Sequence, residues 1–284
     1  MPKHFPTFAF ILVHVLLQCQ SPQSEAKDLL PYSFAKPDKT FELDKDLREI
    51  SGLAWWGTDT LVAIEDESAT IYFLSAKDGS ILKKTDFGEK ADYEGIAVNE
   101  KTIYVLKSDG DVFRVKHPLR EKTKADKNET ALSKGDDAEG FCYHKASNSL
   151  LIATKEEGDY KGNRVIYPLE IGGKDIKKEP FLLIDEEELL AASHTKYGDR
   201  FGSSFKPSGI AVHPLNGDLY IVSAANHLLA AFDKNNKLKE VIRLPKSYAD
   251  QTEGLCFAPD GSLFISTEGG EEKGKIVVLK MKNK

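Results

Sequence analysis

Ser51-Gly52-Leu53-Ala54 is the first of five copies of one pattern, in which a polar residue precedes glycine, a large apolar residue and a small one. The other copies are Glu94-Gly95-Ile96-Ala97, Glu139-Gly140-Phe141-Cys142, Ser208-Gly209-Ile210-Ala211 and Glu253-Gly254-Leu255-Cys256. Successive glycines are separated by 43, 45, 69 and 45 residues. Three intervals near 45 indicate a repeat architecture, and the longer one indicates an insertion in the same architecture.

A turn and a run of strand-forming residues follow each copy of the pattern. These runs occupy residues 60–64, 102–106, 150–154, 219–223 and 263–267, and a third run follows each of them. A fourth run is visible at 81–82, 181–184 and 240–244. Four strands in a period of about 45 residues predict a blade of a β-propeller. A β-sandwich also has many short strands, but it does not explain a fixed pattern at a fixed period.

The two ends of the chain predict how the ring closes. The last unit has three runs before the chain stops, and residues 40–43 lie just before the first glycine motif. We expect this N-terminal strand to complete the last blade, which removes exposed sheet edges. The fold class is therefore all-β, a five-bladed propeller over residues 40–284. The insertion falls at about 185–205, where Glu186 to Ser193 has the acidic first turn of a helix.

The first residues carry an export signal rather than part of the fold. Lys3 precedes an apolar run at 8–17, which is too short to span a bilayer as a helix. Cys19 follows the run as in the lipobox of bacterial lipoproteins, and we expect its lipidation to anchor the protein to a membrane. A plain signal peptide cut nearby and an uncleaved anchor are the alternatives. Residues 1–19 are thus the predicted signal and residues 20–39 a polar tether.

Composition excludes several classes of function. The chain has 284 residues and a formal net charge of −6, and its basic residues form no cluster, so we expect no nucleic-acid partner. Three cysteines cannot build a disulfide framework. The sequence has no Gly-x-Ser-x-Gly elbow, no phosphate-binding Gly-Lys-Ser/Thr loop and no His-Glu-x-x-His.

Carboxylates are expected to gather at one mouth of the central channel. The first strand of each blade lines this channel, and the residue before each glycine lies at its mouth, which places Glu94, Glu139 and Glu253 there. The second strands return to the same face and add Asp66, Glu156 and Glu268. Oxygen ligands without His or Cys favour calcium over zinc. The alternative is a hydrated acidic channel without metal, in which Lys107 and Lys155 hold the glutamates.

The motifs together resemble those of the SdiA-regulated (YjiK/CarP-like) family over roughly residues 40–284. The resemblance rests on the segments 49–53, 92–96, 137–141, 206–214 and 253–261, and on the closing segment 263–269. It implies a five-bladed propeller with calcium bound near the channel, in a protein exported to the bacterial cell envelope, on the periplasmic side or the outer surface. Members of the family are distantly similar to NHL-repeat and phytase-like propellers. Glu94, Glu139 and Glu253 match the motif positions and are the first choice of calcium ligands.

Three functions are compatible with these features. The first is a non-enzymatic calcium-binding envelope protein involved in calcium response or sensing. The second is a calcium-dependent hydrolase of a phosphoester or lactone, in which Lys107 and Lys155 receive the phosphate and Glu156 or Glu268 acts as the base. The third is a protein-binding scaffold that uses the propeller face or the insertion at 185–205. The channel mouth is also a candidate binding place for a protein or small-molecule ligand. The fold does not decide between them.

Overall fold

The computed structural model describes Met1 and residues 29–173, 175–176, 179–198 and 204–282. Its strands form five four-stranded antiparallel sheets. Blade 1 contains β2 (Ile50–Gly57), β3 (Thr60–Glu65), β4 (Thr70–Ser75) and β5 (Ile81–Asp86), and blade 2 contains β6 (Tyr93–Asn99), β7 (Thr102–Lys107), β8 (Val112–Val115) and β9 (Asp126–Asn128). Blade 3 contains β10 (Ala138–His144), β11 (Ser149–Thr154), β12 (Asn163–Glu170) and β13 (Leu182–Asp185), and blade 4 contains β14 (Gly209–Val212), β15 (Leu219–Ser223), β16 (Leu228–Phe232) and β17 (Leu238–Arg243). Blade 5 contains β18 (Thr252–Phe257), β19 (Leu263–Thr267), β20 (Lys275–Leu279) and β1 (Lys39–Glu42). Three short 3-10 turns lie between strands, at Lys45–Leu47, Lys145–Ser147 and Ala224–Asn226.

The ring closes through the N-terminal strand. β1 pairs antiparallel with β20, with Phe41 opposite Ile276. The last blade therefore takes three strands from the end of the chain and its outer strand from the beginning. This confirms the predicted five-bladed propeller and its closure. The outer strand of blade 2, β9, was not predicted.

The motif glycines bring the inner strands of neighbouring blades into contact. A Cβ on Gly95 would lie 2.4 Å from the Cβ of Phe141 in blade 3, and one on Gly209 would lie 2.3 Å from the carbonyl oxygen of Glu253 in blade 5. The last blade contacts the first in the same way, because a Cβ on Gly254 in blade 5 would lie 2.7 Å from the Cβ of Leu53 in blade 1. Side chains are excluded at these positions because real Cβ atoms do not approach that closely, and the predicted close approach of the inner strands is present.

The apolar residues of the motif fill the space between blades. The large residues Leu53, Ile96, Phe141, Ile210 and Leu255 are all buried. Cys142 and Cys256 occupy the position taken by alanine in the other copies, and both are buried free thiols. Burial raises the pKa of both thiols, which keeps them uncharged and unreactive. Their role is that of small core residues.

The insertion between blades 3 and 4 forms helix α1 (Glu186–Tyr197), which begins where the sequence predicts it and extends four residues further. Asp185 caps its first turn by accepting a hydrogen bond from the backbone of Glu188. Arg164, on β12, holds both ends of the insertion. Its guanidinium donates to Glu186 at 2.9 Å and to the carbonyl oxygen of Phe205 at 2.9 Å.

Part of the predicted tether packs on the propeller. Leu30, Tyr32 and Phe34 are buried in the core formed by blades 4 and 5. The hydroxyl of Tyr32 donates to the carbonyl oxygen of Gly261 at 2.7 Å, and Glu240 accepts hydrogen bonds from the backbone of residues 29 and 30. Of the range 20–39, residues 29–39 therefore belong to the folded unit. The predicted signal and Cys19 lie outside the described residues.

Candidate functional site

The residue before each motif glycine lies at the channel, as predicted. Ser51, Glu94, Glu139, Ser208 and Glu253 line one cavity together with the motif glycines of blades 1, 2, 4 and 5. Glu94 and Glu139 each occupy a β-bulge, because the strand register shifts between Tyr93 and Gly95 and between Ala138 and Gly140. A bulge leaves its extra residue unpaired and redirects the side chain. About 10 Å³ of free space remains between these residues, which is room for about one water-sized particle.

Among the described residues, Lys155 is the basic residue whose charge acts on all three glutamates. The ammonium of Lys155 lies 2.8 Å from Glu139 Oε1, and both side chains are largely buried. Lys155 also interacts electrostatically with Glu253. Burial would lower the pKa of Lys155, but the surrounding carboxylates, led by Glu139, outweigh it and raise that pKa. The other lysine predicted to hold the glutamates, Lys107, pairs with Asp109 instead.

The carboxyl groups at the channel titrate far above the ordinary range. Burial raises the pKa of Glu94 to about 9, with further contributions from the negative charges of Glu139 and Asp92. Burial and the charge of Glu139 raise the pKa of Glu253 to about 8. Glu139 rises to a pKa of about 7, because burial outweighs its pairing with Lys155. The positive charge near the three glutamates is thus too small to keep all of them ionised near neutral pH.

Asp66 and Glu268 form a second acidic group at the ends of β3 and β19. Burial and the neighbouring charges of Glu49 and Glu65 raise the pKa of Asp66 to about 6. One oxygen of Asp66 is buried and has no hydrogen-bond partner among the described residues. Burial and the charge of Asp66 also raise the pKa of Glu268. This second group interacts with the first, because Glu268 and Asp66 both raise the pKa of Glu253.

Glu156 is the predicted ligand that lies apart from these groups. Its carboxylate accepts a hydrogen bond from Lys206 at 2.7 Å, in a half-exposed ion pair. This contact lowers the pKa of Glu156, in contrast to the other predicted ligands at the mouth.

In three blades, an acidic residue three positions before the motif glycine also acts on the site, and this residue was not predicted. In blade 2 this residue is Asp92, which accepts a hydrogen bond from the Ser108 hydroxyl at 2.5 Å and shares a hydrogen bond with Glu94. In blades 1 and 3 the same position holds Glu49 and Asp137, whose charges act on Asp66 and Glu139 respectively. The signal was present as an acidic residue at one fixed offset from glycine in three of the five copies.

The arrangement provides hard oxygen donors around a narrow axis, which is the ligand chemistry of calcium. Its geometry is not yet that of a metal site. Across the described ranges, no three His, Cys, Asp or Glu side chains are already arranged to hold a metal ion. A cation at the mouth would have to draw the carboxylates together and displace the ammonium of Lys155 from Glu139.

The sequence of the chain matches the SdiA-regulated family over residues 32–270. The chain belongs to the SdiA-regulated family. The match begins within the packed N-terminal segment, covers all five glycine motifs and extends through β19 of the last blade. No curated protein matches the chain.

Solved structures of several proteins share the fold at low sequence identity. Glutaminyl cyclase from Myxococcus xanthus aligns with a TM-score of 0.62 and 13% identity, over 87% of this chain and 97% of its own. A streptogramin B lyase aligns with a TM-score of 0.51 and 12% identity, over 85% of this chain and 97% of its own. At these identities the likeness establishes the propeller architecture alone.

None of the helices in the described part of the chain has the length and apolar character needed to cross a bilayer.

Proposed function

We propose that this protein is a calcium-binding propeller of the bacterial cell envelope, with a non-enzymatic role in calcium response or sensing. The observation that carries the proposal is the convergence of Glu94, Glu139 and Glu253 around the channel axis, with Lys155 as their nearest counter-charge. Three carboxylates at one axis repel one another, and a divalent cation relieves that repulsion. The raised pKa values of the three groups agree with such a deficit of positive charge.

The donor set fits calcium in its chemistry. Calcium takes 6–8 oxygen ligands at flexible geometry, and carboxylates, hydroxyls, backbone carbonyls and water all serve. The three glutamates would supply the charge, and the hydroxyls of Ser51 and Ser208 lie at the same cavity. Release of Lys155 from Glu139 would accompany binding. A change of ion pairing at the mouth is the local event that a calcium-sensing role requires.

Calorimetric titration of the full chain with calcium tests the proposal. We expect Glu94→Gln combined with Glu139→Gln to abolish binding, because the substitution removes two carboxyl groups that can ionise to bind calcium and keeps the shape of the side chains. Glu42→Gln, in an exposed pair with Lys273 on the outer strand of blade 5, is the matched control and should bind as the wild type does. Undiminished affinity in the double variant would contradict the assignment.

The envelope location is part of the same proposal. Its support is the short apolar run at 8–17, with Cys19 two residues after its end. An acyl anchor at Cys19 would tie the propeller to a membrane on the exported side. Mass spectrometry of the N-terminal peptide should show the acylated cysteine, and Cys19→Ser should move the protein from the membrane fraction to the soluble fraction. An unmodified Cys19 in membrane-bound protein would exclude the lipid anchor.

A calcium-dependent hydrolase is the second candidate. The observation that favours it is the pairing of Glu139, with a pKa near 7, and the buried Lys155, because an acid–base group poised near neutral pH beside a cation suits hydrolysis of a phosphoester or lactone. A bound calcium would polarise the scissile bond. Glu156 is a poor base, since Lys206 holds it as an ion pair. Phosphoesters and lactones assayed with and without a chelator distinguish an enzyme from a sensor.

A further inference from the structure

A second cavity lies between blades 1 and 2, at the end of the propeller opposite the acidic mouth. β2 and β6 begin near the mouth, and the cavity is lined by Trp56, near the end of β2, and by Lys101, in the turn that follows β6. Its remaining wall comes from the loop between β8 and β9, including Leu119 and Arg120. The cavity is open to solvent and has a free volume of about 620 Å³. That volume is within the range of pockets that bind small organic molecules.

The cavity has a positive side. Lys101, Lys116 and Arg120 line it, against a single acidic residue, Glu100. Lys116 is paired with Asp126 at 2.9 Å. Within the described ranges, the structure gives no ion pair to the side chains of Lys101 and Arg120. Two basic groups without a protein counter-ion favour an anionic group in the ligand.

The cavity also has an apolar side. The indole of Trp56 packs edge-on against Phe73, with ring centroids 5.5 Å apart, and it is partly exposed to the cavity. Leu119 retains 61% of its surface exposed. A ring and an aliphatic side chain next to basic groups match a ligand that has an apolar body and an anionic head.

The loop that carries Leu119 and Arg120 is held in place, so the cavity is formed before any ligand binds. The hydroxyl of Thr85 in β5 donates to the carbonyl oxygen of Pro118 at 2.7 Å. The backbone of Asp86 accepts from Thr123 at 3.0 Å and donates to Glu121 at 3.2 Å, which attaches the loop to the outer edge of blade 1. A preformed pocket binds a ligand without the cost of ordering a loop.

We propose that this cavity binds one small amphiphilic organic anion, with its aromatic or aliphatic body against Trp56 and Leu119 and its phosphate or carboxylate between Lys101 and Arg120. A single molecule suits the site better than a membrane surface does. The cavity is concave, Leu119 is its one strongly exposed apolar side chain, and the protein as a whole carries a net charge of −6 that disfavours approach to anionic lipid. The site is independent of the acidic mouth.

The test uses calorimetric titration of the full chain with 1-naphthyl phosphate. Inorganic phosphate has the head without the body, and 1-naphthyl glucoside has the body without the charge. We expect 1-naphthyl phosphate to bind at least about tenfold more tightly than either. Lys101→Ala combined with Arg120→Ala should weaken its binding by about tenfold, since exposed charges contribute about threefold each. Leu119→Ser should weaken it too, and Glu100→Gln should strengthen it.

Matched controls separate this effect from general charge. Lys122→Ala combined with Lys124→Ala removes two charges from the same loop but outside the cavity, and should leave the Kd of 1-naphthyl phosphate within about twofold. Thermal melting should show that all variants fold, because the substituted side chains are exposed. Equal affinity for the phosphate and the glucoside would overturn the proposal. Binding to phosphatidylglycerol vesicles that depends on Lys101 and Arg120, without binding of 1-naphthyl phosphate, would overturn it in favour of a membrane contact.

Discussion

Glu94→Gln should stabilise the calcium-free protein at neutral pH while weakening its response to calcium. Folding raises the pKa of Glu94 from 4.5 to about 9, first through burial and then through Glu139 and Asp92. A carboxyl whose pKa rises on folding binds more protons in the folded state. Its stabilising effect is greatest at low pH and is lost as the pH increases from 4.5 towards 9. Glutamine keeps the neutral form at every pH and removes this loss.

The size of the effect follows from the pKa shift. At pH 7 the unfolded carboxyl is about 2.5 pH units above its pKa, and one unit corresponds to 1.36 kcal/mol, so the loss is at most about 3.4 kcal/mol. The neighbouring carboxyl groups of Glu139 and Glu253 contribute to the same loss of stability. Substituting Glu94 alone should therefore recover part of the loss, about 1–3 kcal/mol. For a domain of this size that gain corresponds to a rise in Tm of roughly 3–10 °C. At pH 5 the gain should fall below about 1 kcal/mol.

Differential scanning calorimetry of the full chain in chelator, at pH 5 and pH 7, measures the effect directly. Glu156→Gln is the control, because this carboxylate is half-exposed and its pKa is lowered by Lys206, so its loss should not stabilise the protein. Added calcium should raise the Tm of the wild type more than that of Glu94→Gln. A variant that gains nothing at pH 7, or gains equally at pH 5, would refute the account of the channel carboxylates.

Three further outcomes are expected from the fold. Gly209→Ala should destabilise the ring by about 1–3 kcal/mol in urea unfolding, since its Cβ would lie 2.3 Å from a backbone oxygen, whereas Gly135→Ala has room and should be near neutral. Phe34→Ala should cost about 3–5 kcal/mol because the ring is buried, whereas the exposed Leu29→Ala should cost little; equal effects would place the N-terminal segment off the propeller. Cys142 and Cys256 should resist a thiol reagent in the native state and react in urea. Rapid labelling of the native protein would show that the reagent reaches these inner-strand positions and that they are not buried.

The sequence predicted the repeating parts of the fold better than the parts that occur once. The glycine motifs recur because each blade meets the next in the same way, and that recurrence indicated the ring. β9 was missed because Asp126–Asn128 contains no apolar residue, as suits an outer strand that faces water. The packing of Leu30, Tyr32 and Phe34 was missed because prolines and polar residues around them resemble a tether. Their alternation at every second residue was the available signal.

The position of the three channel glutamates was predictable from the sequence, but their pairing with lysine was not. Placing Glu94, Glu139 and Glu253 on one axis needs only the repeat and the position of the inner strands. Which lysine lies among them depends on the direction of its side chain, which the repeat does not determine. Lys107 ends β7 opposite Tyr93, whereas in blade 3 the matching position opposite Ala138 is Thr154 and Lys155 comes one residue later. This offset of one residue accompanies the different pairing, with Asp109 for Lys107 and Glu139 for Lys155.

The fold and the candidate site depend on adjacent residues of one motif, which explains how an acidic channel is compatible with a closed ring. Glycine provides the contact between blades, and that contact admits no side chain. The preceding residue is placed at the axis, in blades 1, 2 and 3 by a bulge that leaves it out of the strand pairing. Blades 1 and 4 use serine there, whose hydroxyl donates to a backbone carbonyl of the neighbouring blade, Ser51 to Tyr93 and Ser208 to Thr252. Two blades thus secure the ring by hydrogen bonds, while three bury a carboxyl group at a cost in stability that a bound cation would offset.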